Sequence, residues 1–155
     1  MRTRNLAALA AAASLLAAAP ATADAATFKG KTEGAGRIAF KLSGSTISRI
    51  NGAVPTVCLE TMGSYQSTAG VERYRPPAAF RLGRSAQVKA LQPAAMNQGI
   101  KATKTYTFSS RPAGNGKVAG KLRLSFSFLR PGPSIYQSYI YMCSSSVSFS
   151  AKEIR

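Results

Sequence analysis

Between Lys117 and Phe128 the chain alternates without a break. Val118, Gly120, Leu122, Leu124, Phe126 and Phe128 fall on one side, and Lys117, Ala119, Lys121, Arg123, Ser125 and Ser127 on the other. A period of two belongs to a strand with one face in a core and the other in water. Asn115-Gly116 precedes it, a dipeptide favoured in tight hairpins because both positions tolerate positive φ, so Tyr106 to Ser110 is expected to pair with the strand that starts at Lys117. Ile38, Phe40 and Leu42 alternate in the same way with Arg37, Ala39, Lys41 and Ser43, and Ser43-Gly44-Ser45 predicts a turn. From Thr46 to Leu59 the pattern continues, but its phase slips near Asn51-Gly52, which predicts a bulge or bend, and Pro55 marks an edge or irregular position.

The segment from Glu60 to Ser85 carries Gly63, Gly70, Pro76, Pro77 and Gly83 with little periodicity. It reads as a long loop with at most one short strand near Ala79 to Leu82. Weak alternation returns over Ala86 to Leu91 and clear alternation over Lys104 to Ser110. After the break at Arg130-Pro131-Gly132-Pro133, one strand is expected over Ile135 to Cys143 and a last one through Val147, Phe149 and Ala151. About eight strands with turn signals between them predict an all-β antiparallel β-sandwich, with an open β-barrel as the alternative.

The N-terminus departs from this pattern. Arg2 and Arg4 precede an apolar run from Leu6 to Ala19, closed by Pro20 and followed by the small residues Ala21 to Ala25 around Asp24. That is the layout of a cleavable secretory signal peptide, and the run of 14 residues falls short of the roughly 20 that a membrane-spanning helix needs. Cleavage after Ala23 and cleavage after Ala25 both satisfy the small-residue rule. The expected organisation is a signal peptide over 1–25 and one domain over 26–155, secreted or periplasmic, with no transmembrane segment in the mature chain. Cys58 and Cys143 both survive cleavage. An even pair in an exported chain predicts one disulfide, the alternative being two reduced buried thiols.

Charge changes the picture most. The chain holds 21 Lys and Arg against 5 Asp and Glu, a net charge of +16, and such a surface attracts polyanions. It holds no histidine, which removes serine–histidine and cysteine–histidine catalysis and the commonest metal ligand together. No phosphate-cradling glycine motif and no aspartate-rich calcium loop occurs, so no cofactor and no metal is indicated. A carboxylate pair for hydrolysis would have to come from Glu33, Glu60, Glu72 and Glu153, which read instead as surface groups among the cations.

Two basic constellations remain. Arg73, Arg75, Arg81 and Arg84 interleave with Tyr74 and Phe80 in the expected loop, a pattern found in sites for phosphate, sulfate or single-stranded nucleic acid. Lys117, Lys121 and Arg123, with Arg37 and Lys41, lie on the outward phase of strands and form a positive stripe if those strands share a sheet. The bland alternatives are a solvated loop and ordinary protection against strand pairing. Tyr136, Tyr139 and Tyr141 offer either a ligand platform or packing around the disulfide.

The order Phe28-Lys29-Gly30-Lys31-Thr32, Arg37 to Gly44, Cys58, Gly120-Lys121-Leu122, then Cys143 with Val147 to Ala151, resembles a loose group of small secreted β-sandwich proteins of high-GC bacteria, mostly of unknown function. The resemblance omits Glu60 to Ile100, and Phe149 stands where such proteins often carry Trp. It implies the sandwich fold and a Cys58–Cys143 bridge, and brings no catalytic residue. The expected function is a non-catalytic exported protein that associates with an anionic polymer: an envelope polysaccharide, a teichoic-acid-like polymer or nucleic acid. The alternatives are a secreted protein-binding module, an inhibitor or adhesion factor using the loop 60–85, and a carboxylate-dependent hydrolase.

Overall fold

The computed structural model describes residues 24–34, 36–61, 66–132, 134 and 137–154. The expected signal peptide therefore lies outside the described residues, except for Asp24 and Ala25, and so does Tyr136. Nine strands follow in chain order: β1 (Ala26–Thr32), β2 (Arg37–Ser43), β3 (Thr46–Glu60), β4 (Ser67–Tyr74), β5 (Phe80–Arg81), β6 (Ser85–Pro93), β7 (Lys101–Pro112), β8 (Lys117–Pro131) and β9 (Ser138–Ile154). A 3-10 turn at Ala95–Asn97 links β6 to β7.

All pairings are antiparallel, along one path β4-β3-β2-β1-β9-β8-β7-β6, with β5 added to β3. The all-β antiparallel class is thus borne out, and the two packed layers of the expected sandwich belong to a single sheet folded on itself. The sheet does not close, and β4 and β6 are its ends. The expected β7–β8 hairpin is present, with Tyr106 opposite Leu124 and Ser110 opposite Gly120.

The sheet forks where β3 meets β9. The first half of β3 pairs with β2 up to Gly52, and its last residues, Val57 to Glu60, pair with β9. The β1–β2 hairpin fills the wedge, and its tip is held by the Glu33 N–H donating to the Ser148 carbonyl at 3.0 Å. Pro55 falls in the stretch 53–56, which has a strand partner on the β4 side only, so its missing N–H disturbs the sheet little there. The bulge foreseen near Asn51-Gly52 lies slightly earlier: the register shifts opposite Phe40, and Arg49 adopts φ 51°.

Three sequence expectations are corrected. The segment 60–85 contains the short strand foreseen near Ala79 to Leu82, which is β5, but it also contains β4, where a loop was expected. The alternation of β4 is real, with Val71 and Arg73 outward and Glu72 and Tyr74 inward, but an inward-facing carboxylate hid it. The two strands expected after Pro133 are one strand, β9, whose inward phase runs Cys143, Ser145, Val147, Phe149 and Ala151. Buried Ser145 interrupted the hydrophobic signal. Finally, Glu60 and Glu72 are buried rather than surface groups.

The interior has two regions. Phe28 stacks on Phe40 at 5.2 Å, Phe40 meets Phe149 at 6.1 Å, and Phe149 meets Phe108 at 5.5 Å, which joins β1, β2, β9 and β7 in one aromatic core. Gly120 makes room for it. A Cβ there would overlap the Ser109 carbonyl oxygen and press on the Phe149 ring.

The second region lies beneath the open seam between β4 and β6. Lys104 Nζ of β7 donates to Glu72 Oε2 of β4 at 2.8 Å, with both side chains 1% exposed. The Met96 N–H donates to Glu72 Oε1 at 2.6 Å, which ties the 3-10 turn to β4. Tyr74 meets Tyr106 edge to face and donates its hydroxyl to the Thr107 carbonyl, while Gln92 of β6 donates to the Arg75 carbonyl. Side chains, rather than a backbone ladder, hold the two ends of the sheet together.

Candidate functional site

An antiparallel sheet with a core on one side presents its other residues outward in a lattice. Across strands the spacing is about 4.8 Å, and along a strand same-face residues recur about every 6.8 Å. Lys117, Lys121 and Arg123 all stand exposed on the outer face of β8, as their phase foretold. The register adds what the sequence did not reveal. Lys117 lies directly opposite Lys152 of β9, and Lys152 directly opposite Lys29 of β1. Three lysines thus sit side by side on three adjacent strands, an arrangement that costs stability because like charges face each other.

A second row continues it. Arg111 of β7 is opposite Ala119, Ala119 opposite Ser150, Ser150 opposite Lys31, and Lys31 opposite Arg37 of β2. Arg37 and Lys41 do share the sheet with Lys117, Lys121 and Arg123, but β1 and β9 intervene. The distance from β2 to β8 is then about 14 Å, beyond the roughly 8 Å over which charges act together at physiological salt. Lys29, Lys31 and Lys152 close that gap. Their outward phase was visible in the sequence, but the neighbouring strands were not.

The four arginines of the expected loop separate. Arg73 is outward on β4, opposite Ala53 of β3, and with Arg75 it borders a shallow trough whose other cations are Lys29 and Arg37. Ala39 and Ala53 keep the floor of this trough low. Arg81 lies in β5 opposite Thr46, and Arg84 in the turn after it, its N–H donating to the Arg81 carbonyl. Gly83 donates to the Ser110 carbonyl, which brings that turn to the end of β7 near Arg111. Arg73 and Arg75 therefore join the outer-face cations, whereas Arg81 and Arg84 mark one end of the sheet.

Few carboxylates balance these groups. The ion pair between described residues is the buried Lys104–Glu72, so none of the described carboxylates is salt-bridged to Lys29, Lys117, Lys121, Arg123 or Lys152. Glu33 comes nearest. Its carboxylate accepts the Ser148 N–H at 3.0 Å, and this bond, helped by nearby Lys121, holds it below the usual carboxylate range. No protein-family model, curated protein or solved structure matches the chain.

None of the described residues places an exposed aromatic side chain on this face. Among the described residues Phe28, Phe40, Tyr74, Phe80, Tyr106, Phe108, Phe126, Phe128 and Phe149 are all buried. Tyr139 and Tyr141 are half-buried at the far end, where Tyr141 stacks on Phe128 at 5.2 Å and donates to Glu60 Oε2 at 3.3 Å. Arg130 lies over both rings, 5.3 Å from Phe128 and 5.4 Å from Tyr141. Burial, with Glu60 next to it, pushes the Tyr141 hydroxyl above its ordinary value. Tyr141 thus packs against the core, two residues along β9 from Cys143. Among the described residues no group of three or more His, Cys, Asp and Glu could hold a metal ion.

Proposed function

We propose that the chain is an exported, non-catalytic protein that associates with anionic polymers of a bacterial envelope or its surroundings through the outer face of β1, β8 and β9. One observation carries the reading: the Lys117–Lys152–Lys29 row, extended by Lys121 and Arg123, concentrates positive charge without salt-bridged carboxylates among the described residues. Like charges placed this way repel one another, and a polyanion relieves the repulsion while releasing its own counterions. Export is supported by the tripartite N-terminal sequence and by the Cys58–Cys143 disulfide. No helix among the described residues is long and apolar enough to cross a membrane.

The non-catalytic part of the reading is supported by how three of the four glutamates are used. Glu33 binds the Ser148 backbone, Glu60 accepts from Tyr141, and Glu72 is held by Lys104 and Met96. Each serves the fold. The test is binding of the purified mature protein to polyphosphate and to polygalacturonate over a range of salt. Affinity is expected to fall linearly on a log–log plot, with a shallower slope for Lys117→Ser/Lys121→Ser/Arg123→Ser. A wild-type slope near zero, or no binding at low salt, overturns the reading.

One observation favours a second reading, a protein-binding module. Leu59, Leu129 and Met142 are 45%, 64% and 59% exposed, at the end of the sheet away from the lysine row. A partner bound there would hold its affinity in salt and lose mainly association rate. The loop 60–85 no longer supports this reading, since β4 and β5 belong to the sheet.

A further inference from the structure

Lys121 and Arg123 of β8 do not stand alone: hydroxyls flank them on both neighbouring strands. Thr107 of β7 lies opposite Arg123, which lies opposite Ser146 of β9. Ser109, Lys121 and Ser148 form the next row, and Thr105, Ser125 and Ser144 form a row of hydroxyls only. Open grooves run along these rows, one bordered by Thr107, Arg123 and Ser146 and another by Ser109, Lys121 and Ser148. The outer face of β7, β8 and β9 is thus a central line of positive charge between two lines of groups that both donate and accept.

From this arrangement we infer that the polymer is an acidic polysaccharide laid along β8, its carboxylates on Arg123 and Lys121 and its sugar hydroxyls on the Thr and Ser rows. The inference rests on the polyanion reading above and narrows it. Arg and Lys supply charge-assisted hydrogen bonds to carboxylates, and a sugar hydroxyl, itself donor and acceptor, matches the side-chain hydroxyls. Single-stranded nucleic acid fits less well, because base binding draws on exposed aromatic rings and this face has none among the described residues. A bare polyphosphate would use the cations and leave the hydroxyl rows idle. A second copy of this chain is disfavoured by a net charge of +16.

The test compares polygalacturonate, an uronate chain, with polyphosphate of matched total charge at low salt. Thr107→Val/Ser125→Ala/Ser146→Ala removes three hydroxyls without altering charge and keeps a β-branched residue at 107. It is expected to weaken polygalacturonate binding by about tenfold, from the loss of several hydrogen bonds, while polyphosphate binding changes less than about twofold. Lys121→Ser/Arg123→Ser is expected to weaken both. Ser125→Ala/Ser146→Ala, which leaves Thr107 intact, serves if the triple variant does not fold. If the hydroxyl variant binds polygalacturonate as the wild type does, or loses both polymers equally, the polysaccharide inference falls while the polyanion reading stands. If the wild type binds neither polymer, both fall.

Discussion

Lys104 and Glu72 would each be costly alone in the interior, and together they form a pair whose value lies in what it joins: β7 to β4 across the open seam. Glu72→Gln keeps an acceptor for the Met96 N–H but leaves the Lys104 charge uncompensated. A loss of roughly 3–5 kcal/mol in urea unfolding is expected, most of it recovered in Glu72→Leu/Lys104→Met. An E72Q protein of wild-type stability would show that the pair is open to water. Burial also pushes the Tyr106 hydroxyl up to about 12, with Glu72 adding to the shift, and raises Tyr74 further, where its neighbour Tyr106 contributes. In both, the folded state holds its proton more tightly than the unfolded chain, whose tyrosines titrate near 10. Their contribution to stability is therefore complete below about pH 10 and lost as pH rises from there toward 12 and beyond. An absorbance titration should show these two hydroxyls ionising only as circular dichroism reports unfolding. Full ionisation of all tyrosines near pH 10 in a folded protein would contradict this.

At the scale of elements, the fork between β3 and β9 decides how the chain is tied. Cys58 and Cys143 lie directly opposite each other in that pairing, with Cα atoms 3.9 Å apart, 85 residues apart in sequence. Loop-closure entropy for such a span is worth about 4.5 kcal/mol. Reduction, or Cys58→Ala/Cys143→Ala, should lower Tm by roughly 10 °C or more. Non-reduced peptide mapping should recover the Cys58–Cys143 link, and two free thiols in native protein would refute it. Gly120 is the other constraint at this scale. Gly120→Ala forces β7 or the Phe149 ring to move, so it should destabilise the β8 hairpin, measurable as faster amide exchange in β7 and β8.

The sheet's outer face changes along the strands β1, β8 and β9. Lys29, Lys117, Lys152, Arg81 and Arg84 gather toward one end of the sheet, and exposed Leu59, Leu129 and Met142 toward the other. The crowding of cations is a cost the free protein carries, so salt should stabilise it. Raising NaCl from about 0.01 M to 0.15 M shortens the screening length from about 30 Å to 8 Å, and Tm is expected to rise across that range. A polyanion added at low salt should raise it too, by mass action on the folded state. A Tm that falls with salt would mean that attractive surface pairs, rather than repulsion, dominate.

The sequence by itself determined the strand class, the hairpin at Asn115-Gly116, both faces of β8 and the exposure of Lys117, Lys121 and Arg123. Each follows from a local period of two or from turn chemistry. It misread the segment 60–85 because the inward position on β4 is a glutamate, whose partner Lys104 is 32 residues away, and no local pattern distinguishes a paired buried charge from a solvated one. It split β9 for a similar reason, at buried Ser145. Which cations stand beside which was decided only by the tertiary structure. Periodicity gives a residue's face, but strand order and register give its neighbours, and β1 and β9 come between β2 and β8 only once the chain has folded and its two ends have paired.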